Sequence, residues 1–106
     1  MLRTAMLVLL AEGPTHGYDL LARLAGLGLG AERGALYRTL RSMDAYAEVR
    51  SWWDSSSMGP DRRIYSLTAE GRRRLSDDLD ELRGQEAMIA VLLDRSGLGA
   101  SGGAAR

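Results

Sequence analysis

The sequence contains no cysteine and a single histidine, His16. Disulfides and thiolate metal sites are therefore excluded, and one imidazole is a poor basis for a metal centre or a His-dependent triad. Lysine is also missing, so all 14 basic residues are arginine. Arginine presents a planar fork that suits phosphates and guanine edges. A codon bias towards arginine is the plainer account of the missing lysine. No apolar run reaches the roughly 18 residues of a membrane span. The opening stretch MLRTAMLVLLAEG meets Glu12 and Gly13 with no small-residue cleavage pattern, so it reads as a helix of the mature protein rather than a signal peptide. A soluble, cytoplasmic protein without membrane, metal or cofactor is expected. No nucleophile is paired with a base and no loop would cradle a phosphate, so an enzyme is not expected.

What is present fits one small domain, or one domain with an appendage. The chain has 106 residues, 45% of them apolar. A chain this short buries a modest fraction of its surface, which leaves room for a second subunit to supply missing core. The net charge of zero hides an asymmetry. Residues 1–76 hold 11 arginines against 8 acidic residues, and residues 77–106 hold 3 against 6. Five arginines fall within GPDRRIYSLTAEGRRRL, residues 59–75.

Helical spacing of Leu2, Met6, Leu9 and Leu10 predicts a first helix over residues 2–11, stopped by Gly13 and Pro14. Thr15 or His16 is placed to cap a second helix through residue 25, with Leu20, Leu21 and Leu24 as its apolar stripe. GLGLG is a flexible connection to a third helix over residues 32–45. Leu36, Leu40 and Met43 give that helix an oily face. Gly34, Arg38 and Arg41 form a small, cationic stripe, with Arg33 and Tyr37 on the border. VRSWWD and RRIYSL read as the two strands of a β-hairpin across the turn SSSMGPD. Thr68 caps a last helix, in which Leu75, Leu79, Leu82, Ile89 and Leu93 mark a near-heptad seam widened by Met88 and Leu92. The Gly/Ala/Ser-rich residues 97–106 are expected to be disordered. The expected fold is mainly α with a small β-hairpin: a winged helix-turn-helix over residues 1–74 and a C-terminal helix over 75–96.

Several stretches resemble one family. LLAEGPTHGYDLLARL is similar to the entry motif of PadR-like transcriptional regulators, GALYRTLRSM to their recognition helix, and SWWD with GPDRRIYSLTAEGRRRL to their wing. The resemblance runs from Met1 to Leu75, with the motifs in the family's order. It implies a dimeric, sequence-specific DNA-binding regulator, mostly a repressor, that in many members is released by a small molecule. It also implies that the C-terminal helix forms the dimer. Three positions depart from the family pattern: Glu32 stands where Ser or Thr is common, and Ala47 and Glu48 stand where glycine and leucine are expected.

On this reading Arg33, Gly34, Tyr37, Arg38 and Arg41 face double-stranded DNA in a palindromic operator, with Arg62 and Arg63 on flanking phosphates. The alternatives are a solvated helix face, strand-edge charges, and a Tyr37 that packs against the wing. Arg72, Arg73 and Arg74 fan over most of a turn, so only one or two can meet a single partner. Leu75, Leu79, Leu82, Met88, Ile89, Leu92 and Leu93 form the homodimer seam, or else fold back on their own domain. Trp52 and Trp53 point to opposite faces of a strand. Trp53 is assigned to the core, and Trp52 is left exposed as a candidate site for a small hydrophobic or aromatic effector. His16 is a helix-entry residue, Gly17 a close-packing position, and Tyr18 a core or dimer residue. The other reading is a winged-helix module that binds protein instead of DNA, suggested by Glu32 and the acidic stretch DAYAE.

Overall fold

The computed structural model describes residues 1–55 and 59–98. The chain runs α1 (Leu2–Ala11), β1 (Thr15–His16), α2 (Gly17–Gly26), α3 (Arg33–Ala45), β2 (Val49–Asp54), β3 (Arg62–Leu67) and α4 (Ala69–Ser96). Two compact units, Met1–Leu75 and Ser76–Arg106, divide it, and α4 crosses the boundary. Part of the turn before Gly59 and most of the expected disordered tail lie outside the described residues.

The first unit is built on one aliphatic core. Met6, Leu7 and Leu10 of α1 meet Leu20 and Leu24 of α2 and Leu36, Leu40 and Met43 of α3. Val49, Tyr65 and Leu67 close the core from the sheet. Each such side chain contributes roughly 1.5–3 kcal/mol when fully buried, so the three helices hold together through these stripes more than through helix propensity. The oily face expected for α3 is the buried one. Its cationic residues are left in solvent.

The sheet has three strands, not the two expected. Their order is β1-β3-β2, all antiparallel. β1 is two residues long and pairs Thr15 with Tyr65 and His16 with Ile64. A two-residue strand carries no alternation to read, so only its partner defines it. The wing strands fall where the sequence places them, Val49 opposite Leu67 and Trp53 opposite Arg63.

Local capping fixes the ends. His16 Nδ1 accepts the Asp19 backbone N–H at 3.2 Å and starts α2. α3 begins after Glu32, whose side chain makes no cap hydrogen bond. It ends in a Schellman turn: Glu48 N donates to Met43 O at 2.8 Å, and Ala47 N donates to Asp44 O at 2.9 Å. Ala47 takes the left-handed conformation, φ 59°, that this turn requires. The alanine therefore keeps the geometry expected of glycine. Thr68 Oγ1 accepts Gly71 N at 2.9 Å and starts α4. Gly71 allows the close approach that follows, because a Cβ there would lie 2.2 Å from the Glu48 carbonyl oxygen.

In the second unit α4 continues to Ser96. Met88, Ile89, Val91, Leu92 and Leu93 are exposed along it. Arg83 and Asp80 form an ion pair at 2.8 Å one turn apart. Among the described residues no helix is long and apolar enough to cross a membrane.

Candidate nucleic-acid interface

Helical geometry spreads the exposed residues of α3 over an arc of about 140° at 100° per residue. Arg33, Tyr37 and Arg41 follow one another along one side of this arc, and Gly34 and Arg38 along the other. The core residues Leu36, Leu40 and Met43 lie on the opposite face. The two sides meet different neighbours. Arg33 and Tyr37 share a pocket of about 430 Å³ with Arg62 and Arg63 of the wing. Arg41 and Tyr37 share a second pocket with Arg63, Ser51 and Tyr65. Arg38 instead lies with Arg3, Thr39 and Ser42 on the side towards α1. Six of the seven residues expected to meet DNA therefore surround or line one of these concave surfaces. Gly34 lies next to Arg38, whose Nη1 would stand 3.1 Å from a Cβ there.

The wing side chains are held rather than loose. Arg63 Nε donates to Ser51 Oγ at 2.9 Å. Its guanidinium stacks on Trp53, 5.4 Å from the ring centroid. Trp53 is 62% exposed and lines the first pocket, so its assignment to the core is corrected. It does share a sheet face with Tyr65 and Leu67, but one step beyond the point where the helices cover the wing. Trp52 is 44% exposed, opposite Ile64 on the other face. Tyr18 is exposed in the single chain and lines the first pocket, which leaves it no place in the core. Gly17 packs as expected: a Cβ there would lie 2.5 Å from the Tyr37 hydroxyl. Tyr37 is thus seated by α2 while its edge reaches the pocket. Tyr65 is buried beneath, and burial pushes its hydroxyl pKa above the ordinary tyrosine value.

The entry to α2 carries its own polar network. The Thr15 hydroxyl donates to the Asp19 carboxylate at 2.7 Å and holds its pKa below the usual aspartate value, with Arg23 acting in the same sense and burial opposing. Arg62 Nη1 stands 3.1 Å from His16 Nε2.

Glu48, which stands where the family pattern has leucine, takes a buried position. It is 3% exposed and clamped by two arginines. Arg3 Nε donates to Oε1 at 3.1 Å, and Arg74 Nη1 lies 3.2 Å from Oε2. Arg3 also donates to Ser42 Oγ of α3 at 2.8 Å and stacks on Tyr46. Of the three consecutive arginines, Arg74 therefore points to this carboxylate and Arg73 pairs with Glu70. Arg72 is exposed.

The sequence model of the transcriptional regulator PadR-like family matches residues 6–77. The chain is similar to a PadR family transcription regulator of Clostridium difficile R20291, with 22% identity and a TM-score of 0.80 over 87% of this chain and 97% of that one. It is similar to a PadR family regulator of Eggerthella lenta DSM 2243, with 27% identity and a TM-score of 0.73 over 85% and 81%. It is also similar to Bacillus subtilis PadR, solved in complex with operator DNA, with 25% identity and a TM-score of 0.66 over 74% of this chain and 46% of that one. A comparison with curated protein sequences gives no significant match. With four helices and a three-stranded sheet among the described residues, and matched by the family model over most of its length, the chain belongs to the PadR-like family of transcriptional regulators.

Proposed function

We propose that the protein is a dimeric, sequence-specific DNA-binding repressor. In this reading α3 lies in the major groove and the wing meets flanking phosphates. The observation that carries it is the joining of two exposed cationic elements by one pocket, Arg33 and Tyr37 from α3 with Arg62 and Arg63 from the wing. A recognition helix beside a phosphate-reaching wing needs that arrangement. The Bacillus subtilis relative bound to operator DNA supports it. Residues 1–74 form the DNA-binding part, and residues 75–96 the dimerisation helix through Leu75, Leu79, Leu82, Met88, Ile89, Leu92 and Leu93, of which Leu75 also packs against the core of the first unit. Two copies related by a two-fold axis read a palindromic operator. Trp52, exposed on the outer face of the wing, is the candidate contact for a small aromatic effector. The protein works in the cytoplasm, where its operator is, and carries out no catalysis.

The protein-binding alternative loses part of its support. It rested on Glu32 and the stretch DAYAE, and of these Glu48 is buried and paired with Arg3 and Arg74, while Glu32 and Asp44 stay exposed.

Fluorescence anisotropy tests the proposal with labelled duplex from the region upstream of the protein's own gene. Arg38→Ala and Arg41→Ala should each weaken specific binding by about 1–3 kcal/mol if they read bases, and by less, uniformly across sequences, if they touch phosphates. Affinity should fall steeply from about 50 to 200 mM salt. Unchanged affinity in both variants would remove α3 as the recognition helix.

A further inference from the structure

The pocket between α2, α3 and the wing contains two polar contacts that the chain cannot satisfy together. His16 Nδ1 accepts the Asp19 backbone N–H at 3.2 Å. His16 Nε2 stands 3.1 Å from Arg62 Nη1. A guanidinium only donates, and a neutral imidazole has one donor nitrogen and one acceptor nitrogen. With Nδ1 accepting the α2 cap, Nε2 carries the proton and faces another N–H. In the other tautomer Nε2 accepts from Arg62, and Nδ1–H then faces the Asp19 N–H. In the imidazolium form both contacts set donor against donor. Every protonation state leaves at least one pair of donors without an acceptor between them.

The cap tautomer is favoured because it satisfies a backbone donor in the first turn of α2. The unmet pair then lies on the pocket side, as His16 Nε2–H and Arg62 N–H together. Arg33 and Arg63 line the same pocket, and Asp61 is the one carboxylate among the described residues that line it. Three guanidiniums against one carboxylate call for an anionic acceptor. A volume of about 430 Å³ admits a phosphate with its attached sugar. The exposed faces of Tyr18 and Trp53 offer apolar walls beside it.

We propose that this pocket binds a phosphate oxyanion, with His16 Nε2–H and Arg62 as its paired donors. The inference rests on the DNA-binding reading for its main source, a phosphodiester of the operator backbone. A free phosphate has the same chemistry. His16 thereby becomes a DNA contact as well as the cap of α2.

His16 is the only histidine in the chain, so its ring nitrogens can be followed without ambiguity. The experiment is a long-range 1H–15N spectrum of the full-length protein, alone, with inorganic phosphate, and with duplex from upstream of its own gene. The expected result is the Nε2–H tautomer in the free protein and a shift of that nitrogen on adding duplex, together with the amides of Arg33 and Arg41. A shift with inorganic phosphate but none with duplex would uphold the phosphate site, assign it to a free anion, and count against the DNA reading. The Nδ1–H tautomer in the free protein would overturn the proposal. So would duplex-induced shifts in α3 with His16 unmoved, which would leave the DNA reading intact. No response to either ligand would overturn both.

His16→Asn supplies a second readout. Asparagine is among the best helix caps and keeps an acceptor for Asp19 N–H, but it is too short to reach the pocket. Its thermal midpoint should match wild type while duplex affinity falls roughly tenfold to a hundredfold, the loss expected for one hydrogen bond to a charged group. Arg62→Ala should lower the slope of log affinity against log salt by roughly one. Wild-type affinity in His16→Asn would sink the assignment of His16.

Discussion

Ala47 is the one non-glycine residue with positive φ among the described residues, at 59°. The left-handed conformation costs an L-residue about 1–2 kcal/mol. Glycine removes that cost but loses about 0.4–1 kcal/mol through its freer unfolded chain. Ala47→Gly should therefore stabilise the protein by roughly 0.5–1 kcal/mol, measured as a higher denaturation midpoint at constant slope. An unchanged or lower midpoint would mean the turn holds no strain. Tyr65 gives a second prediction at this scale. Its pKa is raised chiefly by burial, so the neutral phenol favours the fold. The stability it contributes is complete below the ordinary tyrosine pKa and is lost as pH rises through the folded value. Tyr65→Phe should flatten the alkaline limb of stability against pH and leave the neutral region little changed. An identical alkaline limb in both proteins would refute the assignment. Positions 47 and 48 stood out in the sequence only through family resemblance. The partners of Glu48 were not legible, because Arg3 and Arg74 lie 45 and 26 residues away and no periodicity links them.

Elements were more legible than their surroundings. The stripes Leu20–Leu24 and Leu36–Leu40–Met43 identify α2 and α3 because one helical face must be buried. β2 and β3 were legible because β-rich runs flank a turn. β1 was not, since two residues make no pattern. Trp53 was misplaced because alternation gives the face of a strand but not how far the helices extend over it. On α3 helical spacing identifies the exposed arc but groups Arg41 with Arg38. The fold places Arg41 beside Arg63 and Arg38 beside Arg3. Gly34 belongs to this scale, since its backbone is the barest part of the exposed arc. Gly34→Ala meets only the mobile end of Arg38, so the protein should fold as well as wild type or gain up to about 1 kcal/mol. If α3 enters the major groove there, the added methyl group should weaken DNA binding. Stability held with affinity reduced marks close approach of the backbone. Affinity held would place Gly34 away from the DNA. Gly17 and Gly71 differ, because a Cβ at either would strike Tyr37 or the Glu48 carbonyl. Loss of binding in those variants would report misfolding as well as contact.

For the whole molecule the question is what covers the far part of α4. Met88, Ile89, Leu92 and Leu93 follow helical spacing and are each about half exposed or more in the single chain. An apolar stripe of this kind on a solvent-facing helix is the usual mark of an association surface. A second copy of the chain would cover it by two-fold symmetry, and two recognition helices would then reach two half-sites of one operator. Joining the half-sites makes the second contact intramolecular, so affinity for a full operator should exceed that for a half-site by orders of magnitude. Ile89→Asp places a charge in the centre of this stripe, far from α3 and the wing in sequence. It should give a monomer by light scattering with an unchanged thermal transition for the first unit. Affinity for a half-site duplex should be retained, and the advantage of the full operator lost. A variant that remains dimeric would move the interface elsewhere on the chain. A monomer that keeps full-operator affinity would show that dimerisation contributes nothing to recognition.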